Sequence, residues 1–137
     1  MSSTMLPSDA VLLAALERHL PATGRALAVY LFGSAASGAL RDDSDVDLAV
    51  LAESEFDPVV LFDAAQRLAT ELRRDVDLVD LRRASAVMRA QVIANGRRLT
   101  PASTEVEVFE MLAFGAYARL AEERRPVILS MQERYRA

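Results

Sequence analysis

The sequence predicts an α/β protein, a small mixed β-sheet packed by helices and followed by a C-terminal helical segment. Three observations predict it. Ala26–Phe32 is short and continuously apolar, as a strand buried on both faces should be. A second short run, Ser44–Leu51, alternates, with Val46, Leu48 and Val50 on one face and Asp45, Asp47 and Ala49 on the other. Elsewhere the apolar period is helical, most plainly at Leu61, Ala64, Ala65, Leu68 and Leu72.

The remaining elements follow in order. Ser8 and Asp9 can cap a first helix that buries Val11, Leu12, Ala15 and Leu16 and ends near Pro21. Asp57-Pro58 supplies a cap and a first-turn proline for the helix that runs to about Arg73. Asp75 to Leu81 alternates charged and aliphatic residues in a third strand. Ser85 to Asn95 reads as a helix stopped by Gly96. Ser103 to about Arg125 is helical, and Pro126 is expected to start or kink a last helical piece. The order helix, strand, strand, helix, strand, helix, helix is that of a layered α/β fold. One domain is expected over 1–137, with a core at about 8–100 and the C-terminal helical segment at about 103–136.

Bulk composition excludes several classes of function. Hydrophobic residues at 52% with 26% charged describe an ordinary globular chain. A net charge of −4 argues against a general nucleic-acid binder, whose footprint is a basic face. With no cysteine and His19 the sole histidine, thiolate chemistry, His-ligated zinc and His-based triads are excluded within this chain. Residues 1–10 lack a signal-peptide pattern, and no apolar run reaches membrane-spanning length. A cytoplasmic location and no membrane contact are expected.

The chemistry concentrates in "YLFGSAASGALRDDSDVDLAVL", residues 30–51. Asp45 and Asp47 share one strand face, so their carboxylates converge and repel. A bare Asp-x-Asp is more often a solvated strand face. Here the preceding strand ends in Gly33-Ser34, where glycine lets a backbone approach a ligand and Ser34 is expected to open a short helix with donors for phosphate. Oxygen-only ligands suit Mg²⁺, which takes further ligands from substrate phosphates. A third acid would complete a two-metal site. Asp77 lies between Val76 and Leu78 in the third strand and is the first choice. Asp80, at the strand's end, is its rival, and is more simply a turn or helix-entry residue.

Gly-Ser, ten intervening residues, then Asp-x-Asp resembles the signature of the DNA polymerase beta-like nucleotidyltransferases. Together with "VDLVDL" at 76–81, the string looks like the minimal nucleotidyltransferase, or MNT, branch, over about Leu27–Leu99. The resemblance implies a polymerase beta-like palm fold. It also implies that Gly33 and Ser34 hold the terminal phosphates of ATP, and that Asp45, Asp47 and Asp77 bind two Mg²⁺ ions. Many MNT sequences carry an arginine just after Gly-Ser, where this chain has Ala35 and Ala36. If that arginine holds the triphosphate, Arg41 or a partner's side chain must substitute, or nucleotide affinity is lower.

The resemblance further implies a partner, a HEPN-domain RNase toxin silenced by adenylylation of a tyrosine, within a hetero-oligomer. On the C-terminal helix Val106, Phe109, Ala113, Ala116 and Leu120 form one apolar stripe. Val108, Met111, Leu112 and Gly115 lie largely outside it. Either both faces are buried in one core or the second docks the partner. Two other functions stay open at this point. One is an antitoxin that neutralises the toxin by binding alone. The other is a nucleotidyltransferase acting on a small molecule such as an aminoglycoside. Tyr30, Phe32 and Phe62 are read as core, and the pairs Arg73-Arg74, Arg82-Arg83 and Arg97-Arg98 as solvated element ends.

Overall fold

The computed structural model describes residues 6–22, 25–33 and 45–135, with side chains through 123. The elements are α1 (Asp9–His19), β1 (Ala26–Phe32), β2 (Val46–Ala52), α2 (Pro58–Leu72), β3 (Val76–Asp80), α3 (Ala86–Asn95), β4 (Arg97–Arg98) and α4 (Thr104–Tyr135). The sheet order is β3-β2-β1-β4. β1 is antiparallel to both neighbours, whereas β2 and β3 are parallel. A parallel pair needs a long crossover, and α2 supplies it. The helix starts are the expected ones. Ser8 accepts from Val11 N–H, Asp57 from Val59 N–H at 2.8 Å, and Ser85 from Met88 N–H at 3.1 Å.

Strand alternation divides the core in two. Val29, Leu31, Val46, Leu48 and Val50 pack with α1 and α2 on one face. Ala28, Tyr30, Ala49 and Leu51 pack with Val92 of α3 and Val106 of α4 on the other. Each fully buried aliphatic side chain here is worth about 1.5–3 kcal/mol. Leu12, Ala15 and Leu16 are buried as expected, but Val11 is exposed, because α1 turns only a narrow stripe to α2 and the sheet. Arg18 and His19 both reach Glu71, which ties the end of α1 to the end of α2.

Three expectations are corrected. Phe62 is 63% exposed, because it stands at the open edge of α2, lining the groove beside β3 with Leu61 and Ala65. Of the arginine pairs, Arg97 and Arg98 form β4 against Leu31 and Tyr30. Arg82 donates to the Ala52 carbonyl at 2.8 Å and lies over the Phe109 ring, as does Arg89. Cationic side chains can bury their stems against apolar surface while their heads bond backbone, and two residues in sequence do not reveal that. Finally, α4 is continuous through Pro126, so of the two expectations for this proline only the start of a new helix is overturned. The proline removes one ladder bond and the helix persists on both sides.

α4 is fastened to the sheet by a polar tie. Tyr30 donates its hydroxyl to Glu110 at 2.7 Å, and Arg98 donates to the same carboxylate at 3.3 Å. Burial first, and then the Glu110 carboxylate, raise the Tyr30 hydroxyl far above the ordinary phenol range. It therefore stays a donor at any physiological pH. Val106 and Ala113 are buried on the same side of the helix, whereas Met111 and Leu112 on the opposite side are 65% and 62% exposed. The alternative in which both faces of α4 fill one core is ruled out.

Candidate active site

The site is built where β1 ends and the parallel pair begins. Register sets Phe32 against Asp47, and Asp47 against Asp77. Neighbouring strands lie about 4.8 Å apart, so Asp47 and Asp77 are side by side. Asp45, two residues before Asp47, falls on the same face by alternation. That face is the one that carries Ala49 and Leu51, toward α3 and α4. The acids thus extend an apolar surface at its open end.

Gly33 closes the other side. Its φ is +71°, and a Cβ there would collide with Oδ2 of Asp47. Two independent constraints therefore demand glycine: the left-handed backbone and the contact with the carboxylate. Gly33→Ala is expected to cost about 1–2 kcal/mol of stability from backbone strain alone. It should also push Asp47 aside and lower nucleotidyl transfer at least ~10-fold. Thermal melting and transfer from labelled ATP check it; unchanged transfer would show that Asp47 needs no fixed position. Ser34 and Arg41, with Ala35 and Ala36, lie outside the described residues.

Electrostatics link the three acids. Asp47 is half-buried, and its pKa is raised, first by burial, then by the Asp77 charge and then by Asp45. Among the described residues no group of three acidic or histidine side chains is already set to hold a metal ion. That is compatible with Mg²⁺, which seldom takes an all-protein cage and completes its shell with water and phosphate oxygens. The residues fit the group: all donors are hard carboxylate oxygens, and their mutual repulsion is what a cation between them relieves.

Asp80 belongs elsewhere. It is 6% exposed and points to the opposite face, where Oδ2 accepts from Phe56 N–H at 2.8 Å and Oδ1 from Arg82 N–H at 3.0 Å. Arg83 lies 3.8 Å from the same carboxylate. Its contacts pin the loop after β2 to the end of β3. Asp80→Asn should leave transfer unchanged per folded molecule and lower stability by about 1–3 kcal/mol, because the amide presents a donor to one N–H. Urea titration alongside the transfer assay checks this; loss of transfer in a stably folded Asp80→Asn protein would make Asp80 the third acid.

Sequence reasoning missed the Tyr30–Glu110–Arg98 tie. The available signal was Glu110 itself, a carboxylate one residue from Phe109 on the packing side of α4. It missed the open groove beside β3 as well, because a groove is a property of two elements.

A row of acids at the end of a mixed sheet, beside a glycine that admits close approach, suits an enzyme that transfers phosphate-containing groups. The chain belongs to the polymerase beta nucleotidyltransferase family, whose model (Polymerase beta, Nucleotidyltransferase) matches residues 16–105. It is 41% identical over 100 residues to protein adenylyltransferase MntA of Shewanella oneidensis, covering 73% of this chain and 72% of the relative. It is also similar to a chain in the crystal structure of a toxin–antitoxin with AMP-PNP. That match has a TM-score of 0.81 and 34% identity over 92% of this chain and 99% of that one. A third match is to a structure of tri-AMPylated Shewanella oneidensis HEPN toxin in complex with MNT antitoxin. Its TM-score is 0.74 with 33% identity, covering 90% of this chain and 95% of that one.

Proposed function

We propose that this chain is the antitoxin of a toxin–antitoxin pair and acts as a protein adenylyltransferase. It transfers AMP from ATP to a tyrosine hydroxyl of a cognate HEPN-domain RNase toxin, in the cytoplasm. The observation that carries the reading is the carboxylate row, with Asp47 in register with Asp77 and Gly33 against it. A chain that neutralised its partner by contact alone would gain nothing from keeping mutually repelling acids together. The named relative, a protein adenylyltransferase, and the AMP-bearing HEPN toxin found with an MNT antitoxin support the same acceptor class.

The reaction balances simply. The tyrosine oxygen bonds to the α-phosphorus of ATP, the bond from that phosphorus to the β-phosphate oxygen breaks, pyrophosphate leaves and the phenolic proton passes to solvent. Asp45 and Asp47 would hold the nucleotide's Mg²⁺, and Asp77 would contribute to holding a second ion. When bound, these ions neutralise phosphate charge and lower the pKa of the acceptor hydroxyl. The Gly33 backbone and Ser34 position the phosphates, with Arg41 supplying positive charge in place of the arginine missing at Ala35. Half-burial of Asp47 against Gly33 keeps the acid row fixed, so the chain's own contribution is mainly orientation.

The test is mass spectrometry of the HEPN protein co-expressed with this chain. AMP on a tyrosine, and a toxin that stays inactive after this chain is removed, are expected. A toxin without adduct, neutralised equally by wild type and by Asp45→Asn, would replace transfer with neutralisation by binding.

A further inference from the structure

β3 ends the sheet on its outer side. Asp75 C=O accepts from Val46 N–H at 2.8 Å, and Leu81 N–H donates to Val50 C=O at 3.0 Å. In a parallel ladder alternate residues face the neighbour. Positions 75, 77, 79 and 81 therefore turn their backbone groups toward β2, while Val76 and Leu78 turn theirs to the open side. Along that edge runs a groove of about 430 Å³, lined among others by Phe56, Leu61, Phe62, Asp77, Val79 and Arg83. Edge strands are normally blunted against pairing. This one has an exposed phenylalanine beside it and one of the three acids within it.

We infer that this edge takes an extended segment of the acceptor protein as an added strand, with the acceptor tyrosine set beside Asp77. The inference rests on the proposed transfer to a protein tyrosine. Asp77 makes the groove continuous with the acid row, so whatever lies on β3 lies next to the chemistry. An added strand alternates its side chains. Those on one side reach the Asp47–Asp77 face, and those on the other meet Leu61 and Phe62. Main-chain bonds to Val76 and Leu78 supply affinity, and the apolar wall supplies selection. A second copy of this chain is the wrong occupant. Two β3 edges would bring Asp75, Asp77 and Asp80 against the same acids, and like charges on paired strands repel.

Two variants and one mapping experiment test the edge, using the full chain and its HEPN-domain partner. Phe62→Asp alters an exposed side chain, so folding is not at stake. Val76→Pro removes an N–H that faces outward, a position where edge strands tolerate proline. Each should raise the KM for the HEPN protein at least tenfold and leave the KM for ATP within about twofold. In the Asp45→Asn protein, which needs no transfer, adding the HEPN protein should protect the Val76 and Leu78 amides from hydrogen exchange. Unchanged KM for the HEPN protein in both variants, or no protection at these amides, overturns the docking edge. Protection at both amides with no AMP adduct in the wild-type reaction supports the docking edge and overturns only the transfer reading.

Discussion

Asp47→Asn is expected to lower AMP transfer by roughly a thousandfold or more while the chain stays folded. Asp47 is the middle member of the acid row, in register with Asp77 and against Gly33, so in the proposed metal site it would be the least replaceable ligand. Its loss should also relieve strain. In the metal-free protein its pKa lies above the ordinary 3.8, so the native state holds this proton more readily than the unfolded chain does. The stability contributed by the protonated form is complete below the unfolded value and is lost as pH rises through the raised native value. At neutral pH the charged Asp47 therefore weighs against folding, and the asparagine removes that burden. Thermal melting in chelator across this window should show a slightly higher melting temperature for Asp47→Asn at neutral pH and convergence at low pH. Asp77→Asn should likewise be inactive but still bind Mg-ATP through Asp45 and Asp47. Full transfer by either variant would end the metal-site reading.

Met111→Glu should uncouple docking from chemistry. Met111 and Leu112 lie on the face of α4 turned away from the Tyr30–Glu110–Arg98 tie, together with the exposed Val108. An apolar face of this kind on a surface helix suits a partner. Placing a carboxylate there should weaken the HEPN complex about 100-fold, about 2–3 kcal/mol, because the charge would be buried without a counterion. Stability and nucleotide binding should not change, since the side chain is already in solvent. Calorimetric titration with the HEPN protein and with Mg-ATP separates the two. Unchanged affinity for the HEPN protein would move the docking face elsewhere on the molecule.

Much of the site was legible because its signals are local. A glycine that admits close approach, two aspartates at strand spacing and an aspartate inside an apolar strand each state their requirement within a few residues; the positive φ of Gly33 came only with the structure. The caps Ser8 and Asp57 were equally legible, each bonding N–H groups of the turn it starts, whereas Ser85, read as the first helical residue, is the cap of α3. The choice between Asp77 and Asp80 was harder, since both stand in the same short string. Alternation separates their faces, but only the parallel register of β3 on β2 says which face carries Asp47.

The sequence by itself determined the order of every element except β4, the strand faces, and the candidate residues for a cation and phosphates. Periodicity and turn chemistry are written in neighbouring residues. The tertiary structure alone decided what lies across from what. It set Asp80 in a buried web of N–H donors, joined Arg98 and Tyr30 to Glu110, laid Arg82 over Phe109, and left Phe62 and Met111 in solvent. Those outcomes depend on how two distant elements pack, and whether an arginine or a phenylalanine is covered is a property of the neighbour that covers it.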